Sequence, residues 1–301
     1  MLIVAGTFWA STLLAQAPPG DAVVRAPAGK SEIVVTTTAR LAGAIHSLTW
    51  GGKEFIDSFD HGRQLQSASA FDAGAVRFWA EAYNPTEAGS RRDGAGPTSS
   101  SKLLSLTAKG NKLSTTTQMA YWLAPGEKSS GHPARNHRVL SDIRLTKDVT
   151  LGIPDHPQVI DYRVTFHMPA KEKQHYAQFE ALTGYMPAEF STFWTLDPAT
   201  GKRTALSDGP GEQSLPVILA TPTGSHAMGV YSPDQPSKGF EQAGYGRFRF
   251  VPEKVVKWNC VFRVQSRDGV PTGDHSFRMF VAVGTLDDVT RDLSAIARKK
   301  E

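Results

Sequence analysis

The sequence VIDYRVTFHM at residues 159–168 alternates apolar and polar side chains with a period of two. Such alternation is typical of a β-strand with one buried face and one solvated face. The pattern returns at residues 257–265 and 277–283, and nearly at 143–151, where Lys147 interrupts it. The side chains expected to face inward are Ile160, Tyr162, Val164, Phe166 and Met168, then Trp258, Cys260, Phe262 and Val264, then Phe277, Met279, Val281 and Val283.

Turn-forming residues separate these runs. Gly51-Gly52, Asp268-Gly269 and residues 109–112 and 222–224 each lie between candidate strands. Short strands with frequent Gly and Pro between them favour a sandwich or a barrel.

The end of the chain carries the one clear helical pattern. Thr285 and Asp288 form a T-x-x-D pair of the capping-box type. An apolar stripe follows at Leu286, Val289, Leu293 and Ile296. We therefore predict an all-β, mainly antiparallel fold, a large β-sandwich or supersandwich, with one C-terminal helix against its edge.

The first residues are typical of an export signal. Residues 2–14 are apolar and uncharged, and Ala15-Gln16-Ala17 has the form of a cleavage site. A short membrane anchor or a buried strand is the alternative. We expect a signal peptide at 1–17, a linker at 18–30, one β-sandwich domain at 31–301, no membrane span after cleavage, and a secreted or periplasmic protein.

Composition narrows the possible functions. The net charge of +4 is spread without a basic run, which does not indicate a nucleic-acid partner. The single cysteine, Cys260, excludes an internal disulfide, and its place in an alternating run favours a core residue over a nucleophile. His132 and His137 match no standard metal motif. We expect neither a metal nor another cofactor.

Two segments near the N-terminus resemble a known superfamily. Residues 43–56, GAIHSLTWGGKEFI, form an apolar strand, a Gly turn and a second strand, and residues 60–63 read DHGR. Both resemble galactose mutarotase-like proteins. The resemblance implies a β-supersandwich and a carbohydrate partner. It does not imply mutarotase activity, because the His-x-x-Phe-Asn segment of those enzymes is absent from the sequence.

Residues 78–87 are the densest candidate for a sugar site, since aromatic rings cover the apolar side of a sugar and polar groups reach its hydroxyls. The long Gly/Ser/Pro-rich stretch 84–101 follows and is expected to form a mobile rim. An edge strand with a solvated loop is the alternative. The candidates here are Trp79, Glu81, Tyr83, Asn84, Glu87 and, in the loop, Arg91.

Other segments offer further candidates. Strand alternation would place His61 and Arg63 on one face, although Arg63 could instead pair with Asp57 or Asp60. Glu180 lies among apolar residues; burial would raise its pKa and suit a general acid, or it is a hydrogen-bonded core residue. We expect one cleft lined by His61, Arg63, Glu81, Asn84 and Glu87, with Glu180 and Tyr185 facing them from another strand.

The sequence therefore predicts a carbohydrate-active protein. A glycoside hydrolase would need two carboxyl groups, and a polysaccharide lyase would need a proton-abstracting Tyr or His beside cations. The alternative is a non-catalytic sugar-binding or envelope-associated module. The expected catalytic residues are Glu81, Glu87, Glu180, His61 and Tyr185. The expected substrate-binding residues are Arg63, Trp79, Tyr83, Asn84, Arg91 and His137.

Overall fold

A computed structural model describes residues 18–74, 77–170 and 173–299. Its main elements are antiparallel strands of 2 to 14 residues and one α-helix, α1, at Leu286–Arg298. The strands are β1 Ala22–Ala28, β2 Ser31–Thr37, β3 Ile45–Trp50, β4 Lys53–Glu54, β5 Leu65–Phe71, β6 Pro85–Thr86, β7 Lys102–Lys109, β8 Lys112–Tyr121, β9 Lys128–Ser129, β10 His132–Pro133, β11 Leu140–Ile153, β12 His156–Met168, β13 Tyr176–Pro187, β14 Thr192–Asp197, β15 Lys202–Leu206, β16 Gly211–Gln213, β17 Val217–Ala220, β18 Ala227–Tyr231, β19 Tyr245–Phe250, β20 Val255–Gln265 and β21 Gly273–Gly284.

Strand pairing divides the fold into two sheets. The front sheet runs β1-β2-β3-β5-β13-β20-β19-β16. The back sheet runs β7-β8-β11-β12-β21-β18-β17-β14-β15. Short β6 pairs with both β5 and β8 and so joins the sheets. The predicted all-β antiparallel sandwich is confirmed.

The main core lies between the two sheets. In β12, the side chains predicted to face inward, from Ile160 to Met168, are all buried. Trp258 and Cys260 of β20 face the same core, and burial raises the pKa of the Cys260 thiol well above its usual value. Cys260 is therefore a core residue.

The helix begins as predicted but packs elsewhere. The Thr285 hydroxyl accepts a hydrogen bond from Asp288 N at 3.1 Å, and the Asp288 carboxylate accepts one from Thr285 N at 3.3 Å, which completes the capping box. Val289 and Leu293 pack on the outer face of the back sheet rather than at the sandwich edge. The expected edge position was wrong because β17, β18 and β21 also present apolar side chains outward.

Two segments predicted to be irregular make hydrogen bonds. Part of the predicted linker 18–30 is β1, which pairs along its length with β2. In the loop 84–101, Asp93 Oδ2 accepts hydrogen bonds from Ser90 N at 2.7 Å and from Ser100 N at 2.9 Å. These bonds join the two ends of the segment 90–100, and the mobile rim stays a prediction.

The predicted signal peptide, residues 1–17, lies outside the described residues. Of the helices in the described part of the chain, none has the length and apolar character needed to cross a membrane.

Candidate functional site

A cleft lies on the outer face of the front sheet, above β5, β13 and β20. Two adjoining hollows, of about 190 and 930 Å³, share Ala80, Glu180 and Lys257 and form this cleft. Residues 78–84 and Trp122 form one wall, and residues 210–212 with 241–242 form the other. The side chains rising from the sheet are those of Gln66, Gln178, Glu180, Thr183, Tyr185, Phe248, Lys257, Asn259 and Arg263.

A β-bulge in β13 brings two of the predicted residues to the same face. Glu180 pairs with Val261 of β20, and the next pair is Leu182 with Cys260, so Ala181 is the extra residue. Without it, Glu180 and Tyr185, five positions apart, would point to opposite faces. The bulge places both in the cleft, beside Thr183.

Lys257, Glu180 and Tyr185 form a linked cluster on the cleft floor. Lys257 Nζ lies 3.1 Å from Glu180 Oε2, and the Thr183 hydroxyl donates to the same oxygen at 2.9 Å. The ammonium also lies 5.2 Å from the ring centre of Tyr185 and 5.3 Å from that of Phe248. Its charge is thus held between two aromatic rings and one carboxylate.

The environment sets the protonation of these groups. Burial alone would raise the pKa of Glu180, but Lys257, Thr183 and Asn259 outweigh it and lower the pKa. Burial also acts to lower the pKa of Lys257, yet Glu180 and Tyr185 together raise it. Burial raises the pKa of Tyr185 despite the nearby ammonium. Glu180 is therefore ionised at neutral pH, and the expected raised pKa of a general acid was wrong.

Acidification is expected to remove the stabilising contribution of Glu180. Because its pKa is lower in the folded chain, this contribution is present above the ordinary value of 4.5 and is lost as the pH falls through the folded pKa. Urea denaturation should show that the gap in unfolding free energy between the wild type and Glu180→Gln narrows below about pH 4.5.

Glu32→Gln is the matched control, since Glu32 is half exposed in its pair with Arg25. This variant should stay close to the wild type at every pH. A Glu180→Gln gap of constant size across the acid range would contradict the prediction.

Other predicted residues also reach the cleft. Glu81 and Asn84 line its narrow end, and the Asn84 amide donates to Ser69 O at 2.6 Å. Trp79 lines the wide end, where its ring stacks on His132 with centres 4.0 Å apart and planes 14° apart. His132 therefore supports the Trp79 ring.

His61 and Arg63 lie outside the cleft, because β5 begins only at Leu65 and the assumed strand alternation does not hold. His61 is 1% exposed, and its two ring nitrogens face Gly94 O at 2.7 Å and Arg40 O at 2.9 Å. Arg63 pairs with Asp60 at 2.7 Å and with Asp57 at 3.5 Å. Both residues are structural in this arrangement.

Four further candidates, Glu87, Arg91, Tyr83 and His137, also lie outside the cleft. Glu87 is fully buried between the sheets against Lys147. Arg91 donates to Lys128 O at 3.2 Å beside Glu127. Tyr83 turns away from the cleft toward Phe71 and Tyr121, and it lines a separate pocket with His137. Of the residues expected to share one cleft, Glu81, Asn84, Glu180 and Tyr185 line it, whereas the expected positions of His61, Arg63 and Glu87 were wrong.

Several residues of the cleft were not among the predicted site residues. Lys257 and Arg263 lie on the polar side of the alternating run 257–265, so the signal was present in the sequence. Gly62 also borders the cleft, and a Cβ there would lie 2.7 Å from the ring of Trp122. A glycine at position 62 therefore allows the Trp122 indole to pack against the backbone.

Within residues 18–74, 77–170 and 173–299, no cluster of three or more His, Cys, Asp or Glu side chains is placed to hold a metal ion.

No protein-family model and no curated protein matches this chain. Similar solved structures include Slr1438 of Synechocystis, 10% identical, covering 92% of this chain and 100% of that one, with a TM-score of 0.46. A heparan sulfate lyase HepC mutant of Pedobacter heparinus is 10% identical over 92% and 37% of the two chains, with a TM-score of 0.44. A candidate mutarotase, YeaD of Salmonella typhimurium, is 11% identical over 87% and 93%, with a TM-score of 0.35.

One of these neighbours is described as a mutarotase, the kind of protein that residues 43–56 resemble, and another as a heparan sulfate lyase. With TM-scores below 0.5, the likenesses assign neither a family nor an activity to this chain. What the chain's own geometry defines is an all-β sandwich with a polar and aromatic cleft on one sheet face.

Proposed function

We propose that this protein binds a neutral oligosaccharide or polysaccharide in the cleft above β5, β13 and β20. The observation that carries the proposal is the charge of the cleft. Its described lining has four carboxylates, Glu81, Glu180, Glu212 and Glu241, and two cations, Lys257 and Arg263. Both cations are paired, Lys257 with Glu180 at 3.1 Å and Arg263 with Glu212 at 3.0 Å.

This pairing disfavours an acidic ligand. The carboxylate of a uronic acid would meet an excess of negative charge and would have to displace an existing ion pair. The lyase hypothesis needs a cation beside the substrate carboxylate, and Arg63, one of its candidates, is held by Asp57 and Asp60. A neutral sugar faces neither obstacle.

The remaining surface of the cleft suits a sugar ring. The Tyr185 and Phe248 rings flank Lys257, and the Trp79 ring lines the wide end. Aromatic faces can pack against the C–H side of a sugar, while Glu81 and Asn84 can bond its hydroxyl groups.

Hydrolysis is the second candidate function. Glu81 and Glu180 line the same end of the cleft, and Lys257 keeps Glu180 ionised. Two carboxyl groups with one ionised are the minimum that a glycoside hydrolase requires. In that case Glu180 would act as nucleophile or base, and Glu81 as acid.

A glycan panel tests the proposal. Calorimetric titration with neutral and uronic-acid oligosaccharides should show binding of neutral ligands. Glu180→Gln is expected to weaken that binding about tenfold or more. The Glu180 carboxylate would accept a charge-assisted hydrogen bond from a sugar hydroxyl, and such bonds contribute roughly 1.5–3 kcal/mol. Phe248→Ala should weaken it about three- to tenfold through the loss of a ring face.

Glu32→Gln, far along the front sheet on β2, is the matched control and should leave the affinity unchanged. Selective binding of uronic-acid glycans, or equal affinity in all variants, would refute the proposal. Reducing ends released without ultraviolet-absorbing unsaturated products would identify hydrolysis, and binding without products would identify a module.

Export is a further part of the proposal. Its support is the apolar start of the chain and Ala15-Gln16-Ala17. Sequencing of the exported protein should find a first residue near Pro18, whereas a cytosolic protein that keeps Met1 would count against export.

A further inference from the structure

A second pocket borders the 79–84 segment through Tyr83. It has a volume of about 510 Å³, and the side chains that matter here are Tyr83, Tyr121, Arg135, His137, Arg138 and Lys173. None of its lining residues also lines the cleft. Arg135 N donates to Ala82 O at 2.8 Å, which fixes the pocket wall to the same segment that borders the cleft.

The charge of this basic pocket is opposite to that of the cleft. Arg135, Arg138 and Lys173 contribute three positive charges, and no carboxylate belongs to the described lining. A concave site with one sign of charge concentrates ligands of the other sign.

The guanidinium of Arg135 is held in a fixed orientation by two backbone carbonyl groups. Its Nη1 donates to Asp72 O at 3.3 Å and its Nη2 to Arg77 O at 3.2 Å. These carbonyls orient the guanidinium without neutralising it, and among the described residues no carboxylate lies within ion-pair distance of Arg135. The half-buried charge is therefore positioned in advance for an anion.

Arg138 has a partner that an anion can replace. Its guanidinium pairs with Asp142, and the two side chains are 56% and 52% exposed. Exposed pairs of this kind contribute little to stability because water and salt screen them. The rings of Tyr83 and Tyr121, with centres 4.7 Å apart, form the apolar side of the pocket.

We propose that the basic pocket binds a sulfate or phosphate group, carried as an ester on a sugar or a similar polar molecule. Three cations match a multiply charged tetrahedral oxyanion better than a single carboxylate, and the planar guanidinium of Arg135 suits two of its oxygens. The site is separate from the neutral-sugar cleft, so it gives the protein a second ligand class and does not depend on the first.

Titration at constant ionic strength tests this site, with sodium chloride making up the balance so that general salt effects cancel. Inorganic sulfate, inorganic phosphate, a sulfated oligosaccharide and its unsulfated form are the four probes. We expect saturable binding of one anion per chain, loss of at least about tenfold in affinity in Arg135→Gln, and a smaller loss in Arg138→Gln.

Arg25→Gln is the control, because Arg25 is an exposed, ion-paired arginine on β1, outside the pocket. Arg135→Lys keeps the charge and should retain more affinity than Arg135→Gln, which separates anion binding from loss of the two carbonyl contacts. Preference for the sulfated over the inorganic ion would identify an ester as the ligand, and the reverse would identify the free ion.

Two outcomes would overturn the proposal. One is the absence of saturable binding for every anion. The other is equal affinity in the wild type, Arg138→Gln and Arg25→Gln, which would indicate diffuse electrostatic attraction instead of a site. Because Arg138 is exposed and makes only a screened pair, its variant should fold even if Arg135→Gln does not.

Discussion

Replacement of Glu87 by Gln should lower the free energy of unfolding by about 3–5 kcal/mol. Glu87 and Lys147 are both fully buried between the sheets and form an ion pair. Ser67 N also donates to Glu87 Oε2 at 3.0 Å. Removing the carboxylate would leave the Lys147 ammonium charged in the core without a counterion, which is the costly state. Urea denaturation at neutral pH measures the loss.

A double variant tests the reason for that loss. Glu87→Leu with Lys147→Met removes both charges, so its stability should return most of the way to that of the wild type, since apolar replacement of a buried pair is often neutral. Glu127→Gln is the matched control: its partners Arg91 and Arg92 are well exposed, and the expected loss is below about 1 kcal/mol. Equal losses in Glu87→Gln and Glu127→Gln would contradict the prediction.

Trp258→Ala should have an effect of similar size, about 3–5 kcal/mol, because it opens a large cavity in the core. Trp258 is fully buried on β20, beneath the cleft, and pairs with Gly184 of β13. A Cβ at position 184 would lie 2.5 Å from the indole ring. The glycine is therefore required for the ring to fit, and Gly184→Ala should cost about 1–3 kcal/mol by overpacking.

Gly184→Ala is also expected to affect the cleft. Gly184 lies between Thr183 and Tyr185, so Gly184→Ala should displace both and weaken sugar binding as well as stability. Trp79→Ala is the contrasting control, since Trp79 lines the cleft wall and is only partly buried. It should reduce binding with a smaller loss of stability. Unchanged sugar affinity and unchanged unfolding free energy in Gly184→Ala would contradict the prediction.

The break in alternation at Lys147 is visible in the sequence, but the residue that pairs with Lys147 is not. The run 143–151 predicts a strand, and Lys147 falls on its inward face. Its partner, Glu87, is 60 residues away in the sequence and was expected at the sugar site. Only the packing of β6 and the following loop over β11 brings the two charges together, so the sequence did not separate a structural carboxylate from a functional one.

Glu180 illustrates the same point in the cleft. Its apolar neighbours indicate burial, and from burial alone a raised pKa follows. The pKa of Glu180 is instead lowered, mainly by Lys257 on the neighbouring strand. Lys257 is 77 residues away in the sequence, so no local pattern links it to Glu180. Arg63 differs, because its partners Asp57 and Asp60 are close in sequence and the structural alternative was foreseeable from their spacing.

By itself, the sequence determined the all-β class, the inward faces of the long strands and the capped C-terminal helix. These properties depend on side-chain periodicity and on contacts within a few residues, so short stretches of sequence specify them. The tertiary structure decided the strand order, the bulge at Ala181, and the separation of the acidic cleft from the basic pocket. Those features depend on which strands become neighbours and on charges that meet across long sequence separations, and no local pattern specifies either.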